Sequence, residues 1–415
     1  MRVITITVLF LLCAVRSLFS QDVISDDDAF DVDAFDKQVA TGAATDSLNR
    51  LDYLPGLFFV SEATGYRTRV NGATGSDARF YGKAFLKASK GDVGSLYLGY
   101  NYSWFLFAAA DDNHYEQFYR VQSPNQLELR TSLSEFNFSF DVKKLVFVRV
   151  GSQLISWGAT YFWTPEDFIN RQKVQASVLS VVDVRSGKPG VRFHVPFKTM
   201  NLFLFTDFSR MIQNGQSGAF GENIAQAWRI DGTFSGVNIG TVGYIGRNRP
   251  EQVGFDVTGN VLGADLYGEL ACTFTNALAT APRYAFSIGG ARTFGRERNW
   301  TLRTELYCNE EGYGNIRQST LLPGEFTPFY SGRYYLYGEV TGTGLLGSIL
   351  SMSLFGYGNL ADASYSATLQ GTIDLPGVLP FTIYGRYFGG RQDREFTRPF
   401  GGEALCAGMR ISAAF

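Results

Sequence analysis

The stretch from Leu145 to Asn170, LVFVRVGSQLISWGATYFWTPEDFIN, decides the fold. Its first half alternates between two kinds of side chain, as expected for a strand with one apolar and one polar face. The apolar side carries Val146, Val148, Val150 and Leu154, and the other side carries Arg149, Gly151, Gln153 and Trp157. After Gly158 the alternation stops, and an aromatic run leads into polar residues. A long strand that ends in aromatic residues and opens into a loop is typical of a membrane-spanning barrel strand.

The same alternation recurs along the rest of the chain, and the composition agrees with it. Apolar residues make up 45% of the 415 residues and charged residues only 18%. After the N terminus no apolar run reaches the roughly eighteen residues that a helical span needs. These features predict a closed all-β protein. The 37 basic and 39 acidic residues nearly balance, which gives no indication of nucleic-acid binding.

Residues 1–20 are typical of a signal peptide. Met1-Arg2 precede an apolar run, and Ser20-Gln21 is a suitable cleavage point, so we expect the protein to leave the cytoplasm. Residues 21–55 are acidic and are predicted to form a disordered periplasmic segment. This segment repeats the sequence Asp-Ala-Phe-Asp, which leaves open that Phe30 and Phe35 dock it on a basic lumen or a partner.

Residues 56–415 are predicted to form one transmembrane, antiparallel, up-and-down β-barrel of about 18 strands, within a range of 16–18. Long connections alternate with short ones, as external loops alternate with periplasmic turns in such barrels. The predicted first strand begins at Phe58, the fifth ends at Trp157 and the seventh ends at Met211. A strand-like run at 177–184 would make the count odd, so we assign it to the long connection 158–188. That connection is a candidate to fold into the lumen, with a surface position as the alternative.

The last strand carries a separate indication of location. One of its faces carries Leu405, Ala407, Met409, Ile411, Ala413 and Phe415. This alternation, with phenylalanine as the final residue, resembles the C-terminal sorting signal of bacterial outer-membrane barrels, although Ala413 replaces the aromatic residue often found there. The resemblance implies recognition by the barrel-assembly machinery through this strand and a place in outer-membrane lipid.

A second resemblance lies in the opening stretch. The spacing Gly151-x-Gln153-x-Ile155-x-Trp157-Gly158, then Pro165-x-Asp167-x-x-Asn170, is similar to a strand-plus-loop motif of porin-like barrels of the alginate-export type. The motif covers a small part of the chain. It therefore implies a porin-like class and names no solute.

Charged side chains are expected inside the barrel, because a charge on the lipid face near the midplane costs about 2–4 kcal/mol. The predicted lumen-lining basic arc is Arg67, Arg69, Arg79, Lys83, Lys87, Arg130, Arg149, Arg192, Arg386 and Arg410. The predicted lumen-lining acidic residues are Asp256, Asp265, Glu269 and Glu305. Two interpretations stay open: the charges pair across strands in a wet interior, or the basic arc concentrates anions. In the fourth strand the alternation reverses after Leu133, which predicts a β-bulge near Ser134.

Catalytic and metal-binding patterns are thin. The two histidines, His114 and His194, have no paired serine motif, and the mature cysteines have no metal-ligand spacing. We therefore predict a protein that is not an enzyme and holds no cofactor or metal. The expected function is a porin-like outer-membrane channel for small hydrophilic solutes, anionic ones included. The alternatives are an exporter of an anionic polymer and a surface adhesin or structural barrel.

Overall fold

The structure, a computed structural model, describes residues 51–69, 72, 74–91, 93–108, 127–170, 185–213, 223–246, 250–274, 282–295, 299–314, 330, 332–375, 379–392 and 394–415. The predicted signal peptide, residues 21–50 of the acidic segment, the strand-like run at 177–184 and His114 lie outside these residues.

The described chain is built almost entirely of β-strands. In chain order they are β1 (Leu51–Thr68), β2 (Thr74–Lys90), β3 (Gly94–Ala108), β4 (Leu127–Val142), β5 (Val146–Gln153), β6 (Lys188–Phe197), β7 (Met200–Asp207), β8 (Ala225–Phe234), β9 (Val237–Gly246), β10 (Glu251–Val261), β11 (Ala264–Phe274), β12 (Arg283–Phe294), β13 (Asn299–Asn309), β14 (Tyr334–Leu345), β15 (Leu350–Asn359), β16 (Ser364–Ile373), β17 (Phe381–Gly389) and β18 (Ala404–Ala414). A short helix, α1 (Ser209–Gln213), follows β7, and a 3-10 helix (Arg398–Phe400) precedes β18.

The strands form one closed sheet. Each strand pairs antiparallel with its neighbours in chain order, and β1 also pairs with β18. At this seam Phe58 lies opposite Ala414 and Thr68 lies opposite Ala404. The prediction of an antiparallel up-and-down barrel of 18 strands is confirmed. Among the described helices, none has the length and apolar character of a membrane span.

The two faces of each strand differ as the alternation predicted. On β13, Leu302 and Leu306 point outward and are exposed in the isolated chain, whereas Glu305 points inward and is 1% exposed. On β11, Leu266 and Leu270 point outward and Glu269 points inward. The outer face is therefore apolar and suited to lipid, and the polar groups are collected in the lumen.

Tight turns connect the even-numbered strands to the next strand. Ser235 and Gly236 have φ values of 51° and 82°, and Leu262 and Gly263 have values of 53° and 78°. Two successive residues with positive φ fit the two-residue hairpins whose twist matches that of the flanking strands. The long connections, which follow odd-numbered strands at the opposite end of the barrel, include the residues that fold into the lumen.

The three strand ends given in the sequence analysis all differ from those in the structure. β1 begins at Leu51 rather than Phe58, because its first residues pair with the end of β2, Leu51 lying opposite Lys90. β7 ends at Asp207, whose carboxylate accepts a hydrogen bond from the backbone N–H of Ser209 at 2.8 Å and starts α1. β5 ends at Gln153, since the next residues leave the wall.

The β-bulge predicted near Ser134 is confirmed. Gly99 on β3 lies opposite Glu135, whereas the next residue, Tyr100, lies opposite Leu133. Ser134 is therefore the extra residue of β4. Without it, Glu135 and Asn137 would face lipid, so the bulge keeps the polar side chains on both sides of it in the lumen.

Candidate functional site

The chain that follows β5 folds into the lumen. Residues 154–170 run inward from the end of β5, and most of their side chains are buried. We call residues 154–170 the inward segment. Its partners lie on β11 and β13, which are far around the ring of 18 strands from β5. The alternative of a surface position is therefore wrong for these residues.

Glu305 on β13 holds the middle of the inward segment. Its carboxylate accepts hydrogen bonds from three successive backbone N–H groups, those of Tyr161 and Phe162 at 3.0 Å and that of Trp163 at 2.7 Å. The hydroxyl of Ser287 on β12 donates a fourth at 2.8 Å. A buried carboxylate with this many donors is a strong anchor, because hydrogen bonds to a charged acceptor are stronger than neutral ones.

Glu269 on β11 holds the two sides of the same turn. Its carboxylate accepts hydrogen bonds from the backbone N–H of Ala159, from the N–H and hydroxyl of Thr160, each at 2.7 Å, and from the N–H of Glu166 at 3.3 Å. Gly158 lies close by with a φ of 139°, and a side chain there would meet Glu269, since an added Cβ would lie 2.6 Å from Oε1. The glycine of the motif thus allows the chain to approach the anchor.

Aromatic side chains pack the inward segment against one side of the lumen. Phe162 stacks on Tyr337 with ring centroids 4.5 Å apart, and Trp163 stacks on Tyr307 at 5.5 Å. Nearer to β5, the segment packs Ile155 and Ile169 against residues of β7, β8 and β9. The connection before β18 adds Phe396 and Phe400 to the same aromatic cluster. The segment therefore covers the inner wall from β7 to β15.

A network of hydrogen bonds between polar side chains holds the connections between strands beside this aromatic cluster. The carboxylate of Glu395 accepts hydrogen bonds from the Tyr335 hydroxyl at 2.8 Å and from the Asn359 amide at 2.6 Å. The Tyr313 hydroxyl donates to Asp362 at 3.0 Å. Three separate connections, those after β13, β15 and β17, are joined in this way.

The motif residues between Gly151 and Asn170 make contacts that fold the inward segment into the lumen. Gln153 is fully buried at the point where β5 ends, and Trp157 and Pro165 are buried within the segment. Asp167 pairs with Arg185 at 3.1 Å, and the amide of Asn170 donates to the carbonyl of Ile155 at 3.0 Å. The motif is a means of folding the segment inward and back again.

Glu166 is the one charged side chain of the segment that sits among other carboxylates. It is fully buried, and its nearest cation is Arg229 on β8, with Nη1 3.7 Å from Oε2. Arg229 makes closer contacts with Asp256, at 2.8 and 3.1 Å. Neither carboxyl oxygen of Glu166 has a hydrogen-bond partner among the described residues. Burial, followed by the charges of Glu269 and Asp256, raises the pKa of Glu166 to about 10, because Arg229 offsets them only in part.

The opposite wall, from β2 to β6, carries several cations. Arg79, Lys83 and Lys87 follow one another at every fourth residue of β2 and point inward. On the neighbouring strands Arg149 lies directly opposite Arg192, and both are 5% exposed. Like charges in adjacent positions are normally avoided, so these two arginines concentrate positive charge on this part of the wall.

Some of the cations are paired. Glu62 on β1 receives Arg79 at 2.8 Å and Arg410 at 3.8 Å, and Lys83 lies 3.5 Å from Glu135 on β4. One carboxylate therefore serves two arginines from different strands. The ion pairs near β1 fit the first interpretation of the lumen charges, and the adjacent arginines of β5 and β6 are the feature that favours the second.

Several of the predicted site residues lie at positions other than those expected from the sequence. Arg67 and Arg69 were expected in the lumen, yet β1 turns its even-numbered residues inward, so both arginines lie on the outer side at the strand end. Glu269 and Glu305 do face inward but are covered by the inward segment rather than lining an open bore. Asp265 is exposed at the rim, where it accepts a hydrogen bond from Asn260 at 2.7 Å. Asp256, Arg386 and Arg410 point inward, and the side chain of Arg130 is outside the described part of the structure.

Comparison with solved structures identifies the architecture. OccAB1 of Acinetobacter baumannii matches with a TM-score of 0.54 and 11% sequence identity, over 89% of this chain and 98% of that one. OccK2 (OpdF) of Pseudomonas aeruginosa, solved in complex with glucuronate, matches at 0.53 and 11% over 88% and 98%. OpdK of Pseudomonas aeruginosa, solved with vanillate, matches at 0.53 and 9% over the same shares. The chain has the fold of the Occ/Opd outer-membrane porins.

At these identities the likeness extends to the fold alone. No protein-family profile and no curated protein matches the chain. The porin-like class expected from the sequence is confirmed at the level of the fold, and the resemblance to barrels of the alginate-export type stays a prediction.

Sequence reasoning missed four residues that organise this porin-like lumen. Glu62, Glu135 and Arg229 each pair with a charged side chain on another strand, and Glu166 is buried in the inward segment. Because the sequence predicts the bulge at Ser134, it also allows the prediction that Glu135 points into the lumen. Glu62 shares β1 with Arg67 at an odd spacing, which means that only one of the two could face the lumen.

Proposed function

We propose that the protein is a channel of the bacterial outer membrane that passes small hydrophilic solutes and prefers anions. The observation that carries this proposal is the division of the lumen. The inward segment covers the wall from β7 to β15, whereas cations of β2, β5 and β6 point inward from the opposite wall. Positive charge on one low-dielectric wall attracts anions into a narrow passage.

The solved relatives of the fold agree with this direction. OccK2 was solved with glucuronate and OpdK with vanillate, both of them small anionic solutes. The barrel size agrees as well, because 16 to 18 strands enclose a water-filled channel rather than a filled core. No described feature of the lumen favours a polymer exporter or an adhesin over this function.

Planar-bilayer recording tests the proposal. The full-length protein should give steady single channels whose reversal potential under a salt gradient indicates a modest preference for anions. The preference should fade as salt rises, because screening acts over about 8 Å at physiological ionic strength. Absence of a steady channel, or a preference for cations, would contradict the proposal.

A pair of variants assigns the selectivity to the cationic wall. Lys87→Gln combined with Arg149→Gln should reduce the anion preference. Arg292→Gln is the matched control, because Arg292 on β12 lies opposite Leu302 on the outer face and should not alter it. Replacement of Arg79 and Lys83 by glutamine tests a different point, since it also releases the carboxylates of Glu62 and Glu135.

A second part of the proposal concerns export and assembly. We propose that residues 1–20 direct secretion and that the assembly machinery recognises β18 with Phe415. In support of the second point, Phe415 and Leu57 exchange two backbone hydrogen bonds at 2.9 and 3.0 Å, and the Phe415 ring stacks on Phe59. Replacement of Phe415 by alanine should lower the amount of heat-modifiable barrel in the outer membrane, and unchanged assembly would refute the role.

A further inference from the structure

Two arginines on the outside of the barrel have no place in the channel. Arg67 lies opposite Leu405 of β18, a residue that is 60% exposed on the outer face, and Arg69 follows two positions later. Both lie at the end of β1 where the wide connections are found. Arg67 is the one lysine or arginine on the outer face within the last four residues at that end of the eighteen described strands.

A row of aromatic side chains on the outer face indicates the depth of these arginines in the membrane. Tyr387 of β17 lies opposite Leu405, and Tyr365 of β16 packs on Tyr387 with ring centroids 6.0 Å apart. Tyr365, Tyr387, Leu405 and Arg67 therefore follow one another across four adjacent strands on the outer face. Tyrosine and tryptophan girdles mark the boundary between hydrocarbon and headgroups in membrane barrels. Arg67 is level with this boundary, and Arg69 lies beyond it.

The two side chains are available to a ligand. Among the described residues no ion pair or hydrogen bond involves the side chain of Arg67. The side chain of Arg69 is 77% exposed; its Nη1 lies 3.1 Å from Oε2 of Glu403, and it also interacts with the side chain of Tyr387. An exposed pair of this kind is weak and exchanges readily with a stronger acceptor. Residues two apart on extended chain have Cα atoms about 6.6 Å apart. Two long arginine side chains at that spacing can both reach one phosphate group, which arginine binds through two parallel N–H groups.

We propose that Arg67 and Arg69 bind the phosphate group of a membrane lipid in the outer leaflet, with Tyr387 and Tyr365 against its sugar and acyl chains. The inference rests on the proposed outer-membrane location. The leaflet on this side of such a membrane is built from phosphorylated glycolipid, so the headgroup that meets the arginines is a sugar phosphate. This contact fastens the seam between β1 and β18 to the surrounding lipid.

Native mass spectrometry of the full-length protein in detergent tests the assignment. The probe is lipid A, a bis-phosphorylated glucosamine lipid, and its dephosphorylated form is the second probe. The Arg67→Gln, Arg69→Gln double variant should bind lipid A at least about five-fold more weakly than wild type, since each arginine near an anionic surface contributes about that factor. With the dephosphorylated probe the difference between the two proteins should disappear.

The matched control is Arg283→Gln, which also removes an exposed arginine paired with a glutamate, Glu311, at the same end of the barrel. It should bind lipid A as wild type does. Equal binding of lipid A by wild type and the double variant would overturn the proposal, as would equal loss in the Arg283 variant. Inorganic phosphate alone should not bind in a manner that depends on the two arginines; if it does, the lipid assignment is wrong.

Two further measurements separate this inference from the channel function. Heat-modifiable migration shows whether each variant folds, and single-channel conductance should be the same in wild type and the double variant because neither arginine faces the lumen. A wild-type protein that binds lipid A but gives no channel would refute the proposed function and leave the lipid site standing. A protein that conducts but binds lipid A independently of the two arginines would refute the lipid site and leave the proposed channel function standing.

Discussion

Replacement of Glu305 by glutamine should release the inward segment without unfolding the barrel. The carboxylate accepts three backbone N–H groups and the Ser287 hydroxyl. A carboxamide keeps a single acceptor oxygen and turns an NH2 group toward donors, so at least one buried N–H loses its partner. Hydrogen bonds to a charged group contribute about 1.5–3 kcal/mol each. Glu269 would still hold the other side of the turn.

We therefore expect the free energy of detaching residues 161–163 to fall by about 3 kcal/mol, which corresponds to about a hundred-fold larger open population. Hydrogen exchange of the amides of Tyr161, Phe162 and Trp163 measures this directly, and single-channel recordings should become larger or noisier. Asp265→Asn is the matched control, because Asp265 lies on an inward-facing position of β11 but contacts Asn260 rather than the segment. Unchanged exchange at these three amides in Glu305→Gln would refute the anchoring role.

The other predictions concern facing, selectivity and pH. Leu302→Arg should impair assembly because it places a charge in lipid at a cost of about 2–4 kcal/mol, whereas Arg303→Leu should assemble and alter conduction; equal heat-modifiability of both would contradict the assigned faces. Arg149→Gln should lower the anion preference, most at low salt, and an unchanged reversal potential would count against the cationic wall. Burial raises the pKa of Glu166 to about 10, so the packed inward segment is most stable at acid pH, where this carboxyl is neutral, and loses stability as pH rises toward 10. Protection factors of the segment should fall over that range, and Glu166→Gln should make the fall smaller.

The fold could be predicted from the sequence because a barrel strand is a local pattern. Each strand has to present one apolar face to lipid, so Leu302 against Arg303, or Leu270 against Glu269, suffices to locate a strand and its orientation. The even count follows from closure with both chain ends on one side. Even the bulge at Ser134 leaves a local trace, since it reverses the alternation within one strand.

The site could be predicted only in part, because its contacts join residues that are far apart in sequence. Trp157 shares the spacing of β5 and was assigned to it, yet the chain leaves the wall at Leu154, whose N–H donates to Glu135 at 2.6 Å. The sequence around Leu154 does not show whether its N–H donates to a side chain, such as that of Glu135, or to the backbone of a neighbouring strand. The alternation indicates only that Glu269 and Glu305 point inward, whereas the backbone groups that they bind lie more than a hundred residues away in the sequence.

The pairing of β1 with β18 has a consequence for how the protein is made. Phe58 meets Ala414, so the closing contact joins the two ends of the barrel chain and cannot form until the last strand has been synthesised. Contacts of such long sequence separation form late, because the whole intervening chain must first be ordered. Until then both terminal strands expose a full row of unpaired backbone groups, which invites pairing with another chain. A carrier that shields these edges in transit would therefore matter more for this protein than the intrinsic stability of any one hairpin.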